Sequence, residues 1–261
     1  MQYAKELKIV KNIIQKAGET VEKEFIKYKR SSDQYKAHDE IVTWLDKKSE
    51  SIILVALKKH FPHCGILSEE SGLDKKDSSY FWIVDPLDGT SNFTIHNPLF
   101  TVSVSLVYQN EIVLGVTYVP ILNELYWAVK DQGAYCNNKK IKVSEIGQLK
   151  KSFITYCHGQ NKKSRQQAYE LYQYFHEEAR DCRHFGTTTL ELAMVAAGHT
   201  ESLIVAQPKL WDIAAGIILV QEAGGKVTDW QGKPWTLETK DLLACNQKMY
   251  KKIQTKLKSF I

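Results

Sequence analysis

The segment FWIVDPLDGTSNF, residues 81–93, constrains the fold of this chain more than any other stretch. Four apolar residues typical of a buried strand lead directly to Asp85, and Pro86 stiffens the exit from that strand. Asp88 follows three residues after the first acid, and Gly89 permits a tight turn. The residues after the glycine can begin a helix whose free N–H groups bind an anion. The segment therefore predicts a strand, a sharp turn and a helix start, with two carboxylates at the junction.

The two carboxylates of this segment indicate a cation site. Asp85 and Asp88 are so close on a rigid turn that each raises the pKa of the other unless a cation neutralises them. Hard oxygen ligands of this kind suit magnesium, calcium or manganese. The amides of Gly89, Thr90 and Ser91 form a natural phosphate cradle beside them. An ordinary Asx turn with a helix N-cap explains acids in many such loops, and the segment alone leaves both interpretations open.

Further acids occur in similar settings elsewhere in the chain. Glu69 and Glu70 follow the apolar run GIL at the end of a predicted strand. Adjacent side chains in an extended segment point to opposite sides, so we expect one glutamate to face the metals. Asp212 opens an apolar, alanine-rich helix, and Asp46 lies in the first turn of another predicted helix. Taken singly, these two also fit a helix N-cap and a solvated helix acid.

Hydrophobic periodicity predicts two helices, at 3–28 and 44–60, followed by short runs of β-branched and aromatic residues. Gln109-Asn110 and Asn137-Asn138 separate such runs and predict hairpin turns. Beyond Lys150, strands alternate with predicted helices at 164–180, 189–198, 212–223 and 247–260.

This pattern predicts an α/β (α+β) chain of two closely packed subdomains. Residues 1–150 would hold the N-terminal helices, a mainly antiparallel sheet and most of the metal ligands. Residues 151–261 would form an α/β unit that carries Asp212 and the substrate-side residues.

Composition argues against several classes of protein. The formal charge of +5 suits a small anionic substrate, and it lacks the dense Lys/Arg patches of a dedicated nucleic-acid binder. The longest apolar stretch is far short of the roughly 20 residues that span a bilayer, and the N-terminus has no signal-peptide core. We therefore expect no membrane partner. The 5 scattered cysteines indicate reduced thiols in a cytoplasmic protein rather than disulfides or a zinc site.

Four segments together resemble the signature segments of the inositol monophosphatase family, in order and spacing: EIVTWLD, GILSEESG, WIVDPLDGTSNF and WDIAAGIILVQEAGG. The family belongs to a wider group of metal-dependent, lithium-sensitive phosphatases. The resemblance implies an alternating α/β/α/β sandwich and a homodimer. It also implies hydrolysis of a small phosphate monoester such as inositol 1-phosphate, with two or three Mg²⁺ ions that Mn²⁺ could replace.

The resemblance also implies roles for the motif residues. Glu69, Asp85 and the Leu87 carbonyl would bind one magnesium ion. Asp85, Asp88 and Asp212 would bind a second ion, and Asp212 would also contact the substrate.

Other motif residues would act on water and phosphate. Glu70 would lie just outside the metals or help to hold a third, weaker ion. Thr90 would contact the attacking water, and Asp46 would orient the Thr90 hydroxyl. The amides of Gly89, Thr90 and Ser91 would hold phosphoryl oxygens.

The substrate side departs from the family pattern. Inositol-specific members carry a glutamate seven residues before the motif aspartate, where this chain has Val205. Gln207 or Lys209 would then take over substrate contacts, and Thr188 lies where small residues are common. These departures leave the metal ligands untouched. Alternative substrates are therefore fructose 1,6-bisphosphate, a nucleotide 3′-phosphate or NADP, and histidinol phosphate.

Two other interpretations have less support. His38-Asp39 matches an HD-type phosphohydrolase, but such enzymes need further His and Asp ligands that the sequence does not arrange. An RNA-associated regulatory protein would use the lysines at 139, 140, 142, 150 and 151 and the C-terminal KKIQTKLKSF. Basic runs without interleaved aromatic residues are more typical of solvated faces, so the sequence does not favour a nucleic-acid partner.

Overall fold

The structure is a computed structural model that describes residues 2–29, 34–35, 41–42, 44–159 and 161–260. Across these residues the chain forms seven α-helices: α1 Ala4–Phe25, α2 Trp44–His60, α3 Thr90–Thr94, α4 Lys162–Glu178, α5 Thr188–Ala196, α6 Leu210–Glu222 and α7 Tyr250–Leu257. The His38-Asp39 pair lies outside the described residues. Among the described helices, none combines the length and apolar character that a membrane-spanning segment needs.

The strands within the same residues are β1 Gln34–Tyr35, β2 Ile41–Val42, β3 Gly65–Ser68, β4 Gly72–Asp74, β5 Tyr80–Asp88, β6 Thr101–Tyr108, β7 Glu111–Val119, β8 Glu124–Val129, β9 Ala134–Cys136, β10 Lys139–Ile141, β11 Phe153–His158, β12 Asp181–Arg183, β13 Ser202–Ala206, β14 Lys226–Thr228 and β15 Asp241–Cys245. The first large sheet has eight strands in the order β10-β9-β8-β7-β6-β5-β3-β4. The second has five strands in the order β12-β11-β13-β15-β14, and β1 pairs with β2 alone.

The first sheet is mainly antiparallel, as predicted, and only β3 and β5 run parallel within it. Gln109 and Asn110 have φ of 49° and 64°, the left-handed pair that a tight hairpin between β6 and β7 requires. Asn137 also has a positive φ and lies in the turn between β9 and β10. Both predicted hairpin turns are confirmed.

Helix layers alternate with the two sheets. α1 and α2 pack on one face of the first sheet, and α5 and α6 fill the space between the sheets. α4 and α7 cover the outer face of the second sheet. The predicted α/β/α/β alternation is confirmed, and α4 and α7 add a fifth layer. Because helices cover both faces of the first sheet, β6 and β7 are buried almost throughout and do not alternate apolar with polar residues.

Some element boundaries differ from the predictions. The short strands β4, β12 and β14 were not predicted, because three residues are too few to show a period of two. The C-terminal helix is shorter than predicted, since α7 ends at Leu257 and a 3₁₀ turn follows. The chain passes from the first sheet to the second between Ile141 and Phe153. The subdomain boundary at 150 stays a prediction.

Two glycines allow the middle helix layer to approach its neighbours closely. A Cβ atom on Gly115 of β7 would come within 2.6 Å of the Ala215 carbonyl oxygen in α6. A Cβ on Gly216 would come within 2.9 Å of the Leu192 Cγ atom in α5 and closer still to its Cβ. The α5–α6 pair that positions part of the cavity described below therefore depends on the missing side chain at Gly216.

We predict that Gly216→Ala lowers the free energy of unfolding by about 1–2 kcal/mol. Overpacking a core costs about 1–3 kcal/mol, and this outweighs the better helix propensity of alanine, which is worth about 1 kcal/mol. Urea unfolding measures the change. Combining it with Leu192→Ala should cost less than the sum of the two single changes, because the Cγ and Cδ1 contacts are gone, although the Leu192 Cβ contact stays. A Gly216→Ala protein as stable as the parent would contradict this account of the packing.

Candidate active site

A cavity of about 350 Å³ opens where both sheets and the helices between them meet. Its lining comes from separate parts of the chain: Glu69, Asp85, Leu87, Asp88, Gly89, Thr90, Ser91, Cys157, His158, Gly159, Arg165, His184, Gly186, Thr188, Lys209, Trp211 and Asp212. The strand–turn–helix junction predicted from residues 81–93 therefore lines it together with Glu69 and Asp212.

An irregularity in β5 brings Asp85 and Asp88 to the same cavity. Asp85 pairs with Ser103 and Asp88 with Thr101, and the register shifts between these pairs. In a regular strand two residues three apart face opposite sides, so both carboxylates could not line one cavity. The bulge re-aims one of them, a use that bulges often have beside functional sites.

Glu69 and Asp212 reach the cavity by different routes. β3 runs parallel to β5, and Glu69 follows its last residue, with its N–H donating to the Val84 carbonyl at 3.2 Å. Because β3 and β5 are parallel neighbours, their carboxyl ends lie at the same edge of the sheet, and Glu69 lies beside Asp85. Asp212 lies in the first turn of α6, where its Oδ2 accepts the backbone N–H of Lys209 at 3.3 Å.

Asp85 has the least favourable electrostatic environment of these acids. Its side chain is buried, and burial together with repulsion from three neighbouring carboxylates raises its pKa well above the usual range. Those neighbours are Glu69, Asp88 and Asp212. Its Oδ1 accepts the Leu87 N–H at 3.1 Å. Its Oδ2 is buried and has no hydrogen-bond partner among the described residues.

Asp88 is held from the other side of the cavity by α5. The backbone N–H and the hydroxyl of Thr189 donate to Asp88 Oδ2 at 2.7 and 2.6 Å. Thr101 of β6 bonds to the Thr189 hydroxyl in turn. Burial raises the pKa of Asp88 to about 6, and the hydrogen bonds from Thr189 limit that rise.

The donor set fits a hard divalent cation. Among the residues that the structure describes, no three carboxylate, imidazole or thiol groups stand close enough, as they are placed, to hold a metal ion. Carboxylates that share one cavity repel one another. A cation would offset the repulsion and give Asp85 Oδ2 the partner that it lacks. Oxygen donors alone suit magnesium or manganese.

One face of α2 supports the loops of the site with buried polar side chains. Asp46, Ser49 and Glu50 are buried and have the i, i+3, i+4 spacing of a single helical face. The Ser49 hydroxyl donates to the Pro86 carbonyl at 2.7 Å. Glu50 Oε1 accepts the Ser71 N–H and hydroxyl, both at 3.0 Å, and the Ser68 hydroxyl, and so fixes the turn that carries Glu69.

The third residue of that face meets the turn after β5. The Thr90 hydroxyl lies 2.9 Å from Asp46 Oδ1 and 3.0 Å from the Leu87 carbonyl oxygen. Asp46 is therefore a buried partner of Thr90 and not a solvated helix acid. Gly89 has φ of 89°, and a Cβ there would come within 2.9 Å of the Leu99 carbonyl oxygen, so only glycine fits this approach.

Three predicted site residues do not line the cavity. Asp46 lies behind Thr90, and Glu70 is half-buried beside Glu69. Val205 is buried within β13, between Cys157 of β11 and Leu242 of β15. Of the two residues suggested to replace the missing glutamate, Lys209 lines the cavity and Gln207 does not.

Sequence reasoning missed Glu191, a buried acid of α5. Its Oε1 accepts the N–H groups of Phe185 and Gly186 at 3.0 and 3.2 Å and the Cys157 thiol at 3.2 Å. Burial raises the pKa of Glu191 to about 8, so it is protonated at neutral pH. The carbonyl of Phe185 accepts the Asn92 side-chain amide at 2.6 Å. Glu191 thus ties the loop before α5 to the turn after β5.

No motif or periodicity in the sequence indicated the other missed residues. Thr189 and Glu50 look like ordinary helix residues, since their partners are distant in the chain. The cavity also has a wall of cationic and imidazole side chains that no motif indicated: His158, Arg165 and His184.

Comparison with known proteins gives consistent matches over nearly the whole chain. The family model described as "Inositol monophosphatase family" matches residues 3–260. The fructose-1,6-bisphosphatase/inositol-1-monophosphatase of Aquifex aeolicus is 34% identical over 94% of this chain and 92% of its own length. The Nus factor SuhB of Pasteurella multocida is 34% identical over 96% of this chain and 95% of its own. The crystal structure of the extragenic suppressor protein SuhB from Bartonella henselae superposes with a TM-score of 0.92 at 35% identity, covering 99% of this chain and 100% of that one.

We predict that the metal-free protein loses stability as the pH rises from about 4 to 7. The pKa of Asp88 in the folded protein, about 6, lies above its ordinary value, so its contribution is fully present at low pH and is lost as Asp88 ionises. Melting temperatures measured in chelator should therefore fall across this range, and added Mg²⁺ should restore them.

Asp88→Asn should melt higher than the parent at pH 7.5 without metal and gain less from Mg²⁺. Asp77→Asn, which changes an exposed acid outside the cavity, is the matched control and should behave as the parent. A parent protein that is most stable at pH 7.5 in chelator would overturn the proposed electrostatic strain.

Proposed function

The chain belongs to the inositol monophosphatase family, and we propose that it is a magnesium-dependent phosphatase that hydrolyses a small phosphate monoester such as inositol 1-phosphate. The observation that carries the proposal is the convergence of four carboxylates on one cavity, where Asp85 Oδ2 is buried without a hydrogen-bond partner among the described residues. Such strain is typical of a functional site rather than of a structural one.

The carboxylates divide into two ligand sets. Glu69, Asp85 and the Leu87 carbonyl would hold one Mg²⁺, and Asp85, Asp88 and Asp212 a second, with Glu70 near a third, weaker ion. Bound magnesium supplies charge to offset the phosphate dianion and lowers the pKa of a water molecule. Mn²⁺ would replace it, since it prefers the same oxygen ligands.

Thr90 and Asp46 would orient the attacking water. A hydroxyl has one proton, so a Thr90 hydroxyl that donates to Asp46 keeps its lone pairs for a proton of the water. This would fix the direction of the water's own lone pair, because one O–H group of the water would point at the Thr90 oxygen. Positioned groups of this kind typically contribute about 10²–10⁴-fold to a rate.

The turn after β5 would hold the phosphoryl group. Gly89, Thr90 and Ser91 line the cavity, and the left-handed conformation of Gly89 begins α3 there. Backbone amides in such a turn stabilise the charge that develops on phosphoryl oxygens. Thr188 lines the same cavity and would contact the substrate.

The second part of the proposal concerns which phosphate ester is the substrate. Val205 is buried in the second sheet, so no carboxylate from this position reaches the ring hydroxyls of an inositol. We therefore expect broad specificity, with fructose 1,6-bisphosphate, a nucleotide 3′-phosphate, NADP and histidinol phosphate as alternatives. One relative is itself named as a fructose-1,6-bisphosphatase and an inositol-1-monophosphatase. The family resemblance implies inhibition by lithium and a homodimer, and the scattered cysteines favour a cytoplasmic location; all three belong to the proposal.

A regulatory role is the second candidate, favoured by the relative named as a Nus factor. The basic residues that would serve it are partly engaged inside the protein. Lys150 donates to the Glu177 carbonyl at 2.5 Å, and Lys252 of the C-terminal segment donates to the Gly147 carbonyl. An RNA-binding assay at low salt separates the two candidates, because a purely regulatory protein would bind tightly and tolerate the loss of Asp88.

We predict that chelation abolishes the hydrolysis of inositol 1-phosphate and other small esters, and that Mg²⁺ restores it. Asp88→Asn and Asp212→Asn should each lower kcat by orders of magnitude, because both remove ligand charge. Phosphate release across a panel of esters measures this, and circular dichroism checks the fold. Full activity after exhaustive chelation would exclude a metal mechanism. Near-parental turnover of either variant at saturating Mg²⁺ would remove that residue from the ligand set.

We predict that Thr90→Ala keeps its affinity for metal and loses about 10²–10⁴-fold in kcat. Thr90→Ser retains the hydroxyl and should recover most of the rate. Steady-state kinetics at several magnesium concentrations make the measurement. If high magnesium restored the rate of Thr90→Ala completely, the hydroxyl would serve the metal site and not the water.

A further inference from the structure

The cavity has walls of opposite charge. The carboxylates Glu69, Asp85 and Asp88 come from the first sheet and the turn after β5. The wall next to the second sheet carries four basic or imidazole side chains: His158, Arg165, His184 and Lys209. None of these four has a role in the proposed hydrolysis.

These side chains come from four separate parts of the fold. His158 ends β11, and Arg165 lies in the first turn of α4. His184 lies between β12 and α5, and Lys209 directly precedes α6. Elements distant in sequence thus bring positive charge to one side of one cavity, so this wall is not a run of basic residues on a single solvated face.

The two permanent cations lack carboxylate partners. Neither Arg165 nor Lys209 forms an ion pair with any acid among the described residues, and the Lys209 ammonium approaches only the Trp211 ring, at 6.0 Å. On the outer surface, by contrast, Lys58 and Lys130 do pair with acids, at 2.9 and 2.5 Å. Arg165 and Lys209 therefore keep their charge available to a ligand.

The two imidazoles extend the same wall. The rings of His158 and His184 stack with centroids 5.6 Å apart, and Tyr156 stacks on His184 at 5.4 Å. His158 Nδ1 donates to the Gly159 carbonyl at 2.8 Å in the tautomer that this contact requires, which leaves its Nε2 for a ligand. Burial and the neighbouring His158 lower the pKa of His184, and a bound anion would oppose that shift.

We propose that the natural substrate carries a second anionic group, a phosphate or a carboxylate, which binds Arg165 and Lys209 with His158 and His184 beside them. The inference rests on the proposed hydrolysis and narrows its substrate to esters with two anionic groups. A neutral polyol would leave these cations without partners, whereas a second phosphate would form charge-assisted hydrogen bonds with the planar guanidinium.

A matched pair of esters tests the proposal. We expect kcat/KM for fructose 1,6-bisphosphate to exceed that for fructose 1-phosphate by about tenfold, through KM, because exposed charge pairs are individually modest. Arg165→Ala and Lys209→Ala should each remove about threefold of this preference, and the double variant should abolish it. Lys163→Ala, an exposed lysine of α4 outside the cavity, is the matched control and should keep it. The preference should also shrink at high salt.

The outcomes separate this proposal from the one on which it rests. Hydrolysis of both esters without a preference, or a preference that survives in the double variant, overturns the second anionic site and leaves the phosphatase standing. Hydrolysis of no ester overturns the phosphatase. Calorimetry with the same two sugars and Ca²⁺ in place of Mg²⁺ then decides the binding question: tighter binding of the bisphosphate that is lost in the double variant supports the site, and equal binding overturns it.

Discussion

Mutual repulsion between buried carboxylates is the constraint on which the rest of this structure depends. Asp85 is buried against three other acids, and burial raises its pKa and that of Asp88 in the absence of a cation. A flexible loop would relieve such repulsion by moving outward into water. Here the acids are fixed to a bulged strand, a parallel neighbour and a helix start, so the repulsion remains and would favour the binding of a divalent cation.

Each layer of the fold restrains these acids by a separate contact. α2 reaches the turns from one side through Ser49 and Glu50, and α5 reaches Asp88 from the other through Thr189. Glu191 then ties the loop before α5 to the cavity through Phe185. Helices α5 and α6 pack against both sheets and also carry residues of the site. The site therefore forms only when the layers of the molecule pack together. This explains why close approaches such as that of Gly216 to α5 matter far from the chemistry.

The sequence predicted the features that depend on neighbouring residues and missed the contacts between residues that are distant in the chain. The strand, the turn and the helix start around Asp85 lie within thirteen consecutive residues, 81–93, and their spacing fits a cation site as well as an ordinary helix N-cap. Hairpin turns such as Gln109-Asn110 are similarly local. Thr189 and Glu50, however, look like ordinary helix residues, because their partners lie 101 positions away and at least 18 positions away. No periodicity encodes such contacts, which depend on how the layers pack.

Side chains on the substrate side, such as those of Val205 and Gln207, can differ without disturbing the carboxylates of the cavity, because the hydrogen bonds that hold those carboxylates do not involve them. Val205 of β13 pairs with Cys157 of β11, and Gln207 adopts a left-handed conformation, with φ of 54°. The Gln207 amide oxygen accepts the side chain of Asn161 at 2.6 Å, at the start of α4, so the strained residue connects β13 to the helix that carries Arg165. Changes at position 205 of β13 and at the residues between β13 and α6 can therefore alter the substrate side while Asp212 keeps its place. Separate structural support for the carboxylates and for the substrate side would let one arrangement of carboxylates serve esters of different charge.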